Sequence, residues 1–132
     1  MKLKKQTLII AVIALCILSA NICFAQEGYC SVFSTNVSFV KSSATSAKAS
    51  VSSKSNGAAD KMKATLRLQV YSTSKGKYVN SSADPVSKTV SSAAISFSHA
   101  FKISPSKKYR IKITVSSTTG SQTFSKNYYK VL

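Results

Sequence analysis

The stretch Ile103-Ser104-Pro105-Ser106-Lys107-Lys108-Tyr109-Arg110-Ile111-Lys112-Ile113-Thr114-Val115 decides the fold class of this chain. A Pro/Ser/Lys corner runs into a strict alternation. Tyr109, Ile111, Ile113 and Val115 point one way; Arg110, Lys112 and Thr114 point the other. A period of two marks a strand with one face buried and one face wet. Here the wet face carries positive charge and a hydroxyl.

The same rhythm extends in both directions. Just upstream, Ile95, Phe97, His99, Phe101 and Ile103 share one face, and Ser96, Ser98, Ala100 and Lys102 the other. Downstream, Thr118-Thr119-Gly120-Ser121 reads as a hairpin turn, and Gln122 to Val131 pairs back. In that last strand Phe124 and Tyr128 share a face with Lys126, while Tyr129 and Val131 share the other, which predicts a bulge. Met62, Ala64, Leu66, Leu68 and Val70 make the cleanest apolar face, opposite Lys63, Thr65, Arg67, Gln69 and Tyr71. Leu, Met and Ala favour helix, but strict alternation decides for strand.

Between these lie a turn at Ser74-Lys75-Gly76-Lys77, a short strand Tyr78 to Asn80, a break at Asp84-Pro85 and a small edge strand Val86 to Val90. Nearer the start, Ala47, Ala49 and Val51 alternate with Lys48, Ser50 and Ser52, predicting a strand near Thr45 to Lys54 and then a turn at Ser55-Asn56-Gly57. Tyr29 to Lys41 reads as a first strand, with Ser34-Thr35-Asn36 as the place where it can break. About seven short antiparallel strands, turn signals every 8 to 12 residues and no repeat predict an all-β sandwich, a small barrel being the alternative.

The first 25 residues are expected to lie outside that domain. Lys2, Lys4 and Lys5 form a charged region, Leu8 to Leu18 an apolar one, and Cys23-Phe24-Ala25 a small-residue cleavage site, the pattern of a secretory signal peptide. Residues 1–25 are therefore the expected signal helix and residues 26–132 the β-sandwich domain. The alternative is an anchor kept in the membrane, since Thr7 to Ala25 is nearly long enough to span one. Cleavage would leave 107 residues, enough to bury roughly two-thirds of the unfolded surface without staples. Cys16 and Cys23 would leave with the signal. Cys30 would remain alone, without an internal disulfide partner: a half-buried strand residue in a monomer, or the link in a dimer.

Charge is the strongest compositional signal. The chain holds 19 Lys+Arg against 3 Asp+Glu, a net charge of +16, and loss of Lys2, Lys4 and Lys5 would leave +13. Such a chain is drawn to polyanions: phosphate-bearing wall polymers, anionic lipid head groups or nucleic acid, the last being least accessible to an exported protein. Residues 26–132 also contain 25 Ser and 9 Thr, which would suggest disorder if they did not alternate with apolar residues as on the wet face of a sheet.

The residues of a catalytic site do not converge in the sequence. His99 lies mid-strand among Phe97, Phe101 and Ile103, and reads as a packed or edge histidine. Asp60 and Asp84 fall in loops, with no spacing that makes a triad with His99 or a facing carboxylate pair. His99, Cys30 and scattered acids give no pair at metal-ligand spacing, and no Gly-rich phosphate loop occurs. The expectation is a non-enzymatic protein without cofactor. Asn36-Val37-Ser38 and Asn80-Ser81-Ser82 match the glycan-acceptor pattern, a short pattern that is read here as a chance match.

Two resemblances refine this. Ile103-x-Pro105-x-x-x-Tyr109-x-Ile111-x-Ile113 resembles the fibronectin type III pattern at the start of the strand that follows the sheet-crossing corner. The resemblance implies an immunoglobulin-like sandwich in which Tyr109 is a clamp, its hydroxyl bonded back to the upstream backbone. Over residues 26–132 the chain also resembles small secreted β-sandwich proteins of Gram-positive bacteria, through Leu68-Gln69-Val70-Tyr71 and Tyr109-Arg110-Ile111-Lys112.

In an immunoglobulin-like sandwich the strands beginning at Met62, Tyr109 and Gln122 are neighbours. Lys63 and Arg67 would then lie beside Arg110 and Lys112, with Lys126 or Lys130 joining and Tyr71 as an aromatic platform. That face is the candidate site for an anionic wall polymer such as a teichoic acid, or an acidic glycan; the plainer reading is a solvated face whose lysines discourage edge pairing. Two further classes stay open. One is an antimicrobial or toxin-like protein acting on anionic membranes, which would inhibit neighbouring bacteria. The other is an adhesion module that holds a host protein through its loops.

Overall fold

A computed structural model describes residues 33–56 and 59–132. The expected signal segment, the beginning of the first predicted strand, Cys30 and Gly57 lie outside the described residues. Eight strands follow in chain order: β1 Phe33–Ser43, β2 Ser46–Ser55, β3 Lys61–Ser72, β4 Lys77–Asn80, β5 Val86–Val90, β6 Ala94–Lys102, β7 Tyr109–Thr119 and β8 Gln122–Val131. Among the described residues there is no helix.

The strands form two antiparallel sheets. One has the order β1-β2-β6. The other runs β4-β3-β7-β8, with β5 also paired to β3. Strands β4 and β5 share one edge of β3 end to end: β4 pairs with Gln69 to Ser72, and β5 with Met62 to Leu66.

The buried faces are those the alternation marks. Phe39, Ala47, Ala49, Val51, Ile95 and Phe101 from one sheet meet Met62, Ala64, Leu66, Leu68, Ile111, Ile113 and Val115 from the other. Helix propensity in Met62 to Leu68 is overridden because only the extended form puts all four apolar side chains in this layer. Hydroxyl pairs tie neighbouring strands: Thr65 to Ser87 at 2.8 Å and Thr118 to Thr123 at 2.9 Å on the wet face, and Thr35 to Ser53 at 2.7 Å on the inner face, where Ser53 is buried. Cross-strand pairs of this kind contribute to sheet stability, which gives the Ser/Thr-rich composition a structural use.

The connections sort to two ends. At one end the β7–β8 hairpin closes with a two-residue loop, Gly120-Ser121, in which only Gly120 has a positive φ, 59°. That is the arrangement of a type II′ turn. The Asp60 carboxylate accepts the Gly120 N–H at 2.8 Å. Phe33 also lies at this end, opposite Ser55, whose N–H reaches Ala93. At the other end lie the β3–β4 turn, with Gly76 at φ 64°, the 103–108 corner and Leu132.

That corner carries the clamp. The Ser104 N–H donates to Tyr109 Oη at 2.9 Å, while the Tyr109 ring is buried at the start of β7. Pro105 removes one backbone donor from the turn. The Tyr109 hydroxyl satisfies another that the corner leaves without a strand partner.

Two expectations need correction. Strand β8 has no bulge: its register against β7 is unbroken from Thr119↔Gln122 to Arg110↔Val131. The irregularity lies instead in β1, between Lys41 and Ser43. Nor does β1 break at Ser34-Thr35-Asn36, which pair in sequence with Lys54, Ser53 and Ser52. His99, read as a packed or edge histidine, is on the edge strand β6 and is exposed, although its position alternates with buried residues. Its ring packs edge-on against Phe101, 4.9 Å between centroids.

Candidate functional site

The outer face of the five-stranded sheet is built from the odd residues of β3 and the even residues of β7. Their register is fixed from beneath by the core pairs Leu68↔Ile111 and Leu66↔Ile113. With those in place, Arg67 stands directly opposite Lys112, and Gln69 opposite Arg110. Lys63 lies further along β3, opposite Ser116 on one side and Thr89 on the other. No carboxylate is paired across strands with any of these residues.

Lys126 and Lys130 do not join this face, which corrects the expectation. They are paired with Val115 and Ile111, whose side chains point into the core, so both lysines start from the inner side of β8. The three-stranded sheet does not cover them, and both are exposed. Lys126 Nζ instead lies 5.5 Å from the Tyr128 ring centroid. Lys88 behaves alike on β5: it starts from the inner side and reaches the Ser96 carbonyl of β6 at 3.1 Å. Such lysines snorkel, stems on apolar surface and ammonium in water.

Arg110 is placed on the face but is held there by its own neighbours. Its Nε–H donates to Gln69 Oε1 at 2.9 Å, and Gln69 Nε2–H donates to Asn80 Oδ1 at 3.1 Å, a relay across β7, β3 and β4. The guanidinium carbon lies 4.5 Å from the ring centroids of both Tyr78 and Tyr129, which come from strands on either side. Tyr71 meets Tyr78 edge-on at 5.3 Å. Of this tyrosine cluster only Tyr71 was legible in the sequence: the expected bulge in β8 hid the position of Tyr129, and β4 is too short to show a period.

Arg67, Lys112 and Lys63 are different. Among the described residues the side chains of these three make no hydrogen bond or ion pair. The face therefore offers three unengaged cations in a row beside one engaged arginine in an aromatic setting. Such a surface attracts anions electrostatically and can stack a ring on its tyrosines.

A second group of cations was missed by sequence reasoning. Lys107 and Lys108 of the corner come together with Lys41 from β1 around a depression that also involves Tyr78 and Val131. A loop pair and a strand end have no shared periodicity, so only the fold unites them.

Of the residues weighed for chemistry, His99 is on the β6 edge, Asp60 is bonded to the Gly120 turn, and Asp84 is in the β4–β5 loop. Among the described residues no group of three or more His, Cys, Asp or Glu side chains is positioned to hold a metal ion. No known family model matches the chain, and no curated protein is significantly similar to it.

Proposed function

We propose that this is an exported, non-enzymatic binding protein that associates with anionic cell-wall or surface polymers through Lys63, Arg67 and Lys112, with Arg110 and its tyrosines as a stacking platform. The observation that carries the reading is the pair Arg67↔Lys112. Like charges directly opposite one another on the two central strands of a sheet are destabilising. Here no carboxylate on a neighbouring strand relieves them, so a counter-charge from outside would. A polyanion supplies it and releases its own counterions on binding.

Export rests on the Lys2-Lys4-Lys5, Leu8–Leu18 and Ala25 pattern. A fibronectin type III-like architecture is our reading of the sandwich. Its support is the sheet composition β1-β2-β6 against β4-β3-β7-β8 and the Tyr109–Ser104 clamp between them.

The test is retention on isolated cell wall and on an immobilised phosphodiester polymer, followed against salt. The triple variant Lys63→Ser, Arg67→Ser, Lys112→Ser spares Arg110 and its contacts. Its retention should fall about tenfold or more near 50 mM salt and differ little by 200 mM. Unchanged retention at low salt removes the reading.

A further inference from the structure

We propose that the end of the sandwich between the β3–β4 turn and the 103–108 corner holds a second, separate site, which takes an anionic sugar residue of the hexuronate type. A depression of about 520 Å³ lies there. Its size falls within the ~300–1,000 Å³ typical of small-molecule sites. Val70, Tyr71 and Val79 supply its apolar lining, and Ser106, Lys107 and Lys108 are among its polar residues. Thr73 adds a further hydroxyl. Two smaller depressions adjoin it and share Lys107; one of them brings in Lys41.

The walls are fixed by backbone bonds rather than by the side chains that would meet a ligand. Tyr71 N–H donates to the Lys108 carbonyl at 2.9 Å, joining the end of β3 to the corner. Lys107 N–H donates to the Ser104 carbonyl at 3.2 Å, and Tyr109 Oη holds Ser104 from the other side. Gly76 N–H closes the opposite turn on the Ser72 carbonyl at 2.8 Å. A site with its frame already set loses little conformational freedom on binding.

The chemistry of the lining selects the ligand. The apolar lining of Val70, Tyr71 and Val79 suits the C–H face of a pyranose ring. The Thr73 and Ser106 hydroxyls can exchange hydrogen bonds with ring hydroxyls. Lys107 and Lys108 in the lining, with no carboxylate beside them there, ask for an acidic substituent on the same ring. A bare phosphate would leave the apolar side unused, and a neutral sugar would leave the lysines unpaired. The site uses none of Lys63, Arg67 or Lys112, so it stands or falls apart from the sheet face.

The experiment is an amide-resolved NMR titration of the full chain with glucuronate, glucose and inorganic phosphate in parallel. Glucuronate should give saturable shifts confined to residues 70–73, 79 and 106–108, with glucose and phosphate weaker by about tenfold. Lys107→Ser with Lys108→Ser should weaken glucuronate about tenfold or more, since both backbone bonds at those positions persist. Ser106→Tyr, which fills the depression and alters no charge, should abolish the shifts. Arg67→Ser with Lys112→Ser should leave them unchanged. Equal binding of phosphate and glucuronate, shifts spread over all lysines, or full binding by the Ser106→Tyr variant would each overturn the proposal.

Discussion

The hydroxyl of Tyr109 accepts the backbone N–H of Ser104 at 2.9 Å, five residues upstream, and so ties the turn between the sheets to the first residue of β7. Removing only the oxygen leaves a part-buried donor unpaired, at a cost of roughly 1–3 kcal/mol. Tyr109→Phe is therefore expected to lower unfolding free energy by about that amount in a urea titration, with the far-ultraviolet spectrum unchanged. A loss under about 0.5 kcal/mol would mean the corner holds itself.

Arg67 and Lys112 repel across the central strand pair. Arg67→Thr keeps a good strand former and removes the repulsion, so stability should rise by about 0.2–1 kcal/mol at low ionic strength. The gain should shrink toward zero near 1 M salt, where the screening length is about 3 Å. Chemical denaturation with urea, which adds no ions, at two salt concentrations reads both.

Arg110 is stabilised by its fork and its flat face, not by charge alone. Arg110→Lys keeps the charge but loses the Nε bond to Gln69 and the planar stacking. Unfolding free energy should drop by roughly 1–2 kcal/mol. The near-ultraviolet tyrosine signal should change as Tyr78 and Tyr129 lose their common partner.

Ser117 presents the reverse case. It is 1 % exposed, and its Oγ is buried with no hydrogen-bond partner among the described residues. Ser117→Ala removes the unpaired hydroxyl and leaves the packing nearly intact. Stability should increase by about 1 kcal/mol, measured by thermal or urea unfolding.

Where a strand is covered on one face and wet on the other, its residues declare it. Met62 to Val70 and Tyr109 to Val115 alternate without exception because the core lies under their whole length. The same alternation put Arg67 and Lys112 on the wet face, and the immunoglobulin-like resemblance set their strands side by side; the register that makes them direct partners is seen only in the fold, because a shift of two residues would keep every side chain on its face. The pattern fails on β6 and β8, which are edge strands that the opposite sheet covers incompletely. There an inward position tolerates His99, Lys126 or Lys130, and the mixture imitates a slipped register. The Lys41–Lys107–Lys108 group was invisible for another reason. It joins a strand end of one sheet to a corner between sheets, a relation that exists only in three dimensions.

The two ends of the described domain leave it from opposite poles. Phe33 pairs with Ser55 beside the Gly120 hairpin, whereas Leu132 donates its N–H to Tyr109 at the far pole. Lys107 and Lys108 therefore stand at the pole away from Phe33, a full strand length from the residue where the described chain begins.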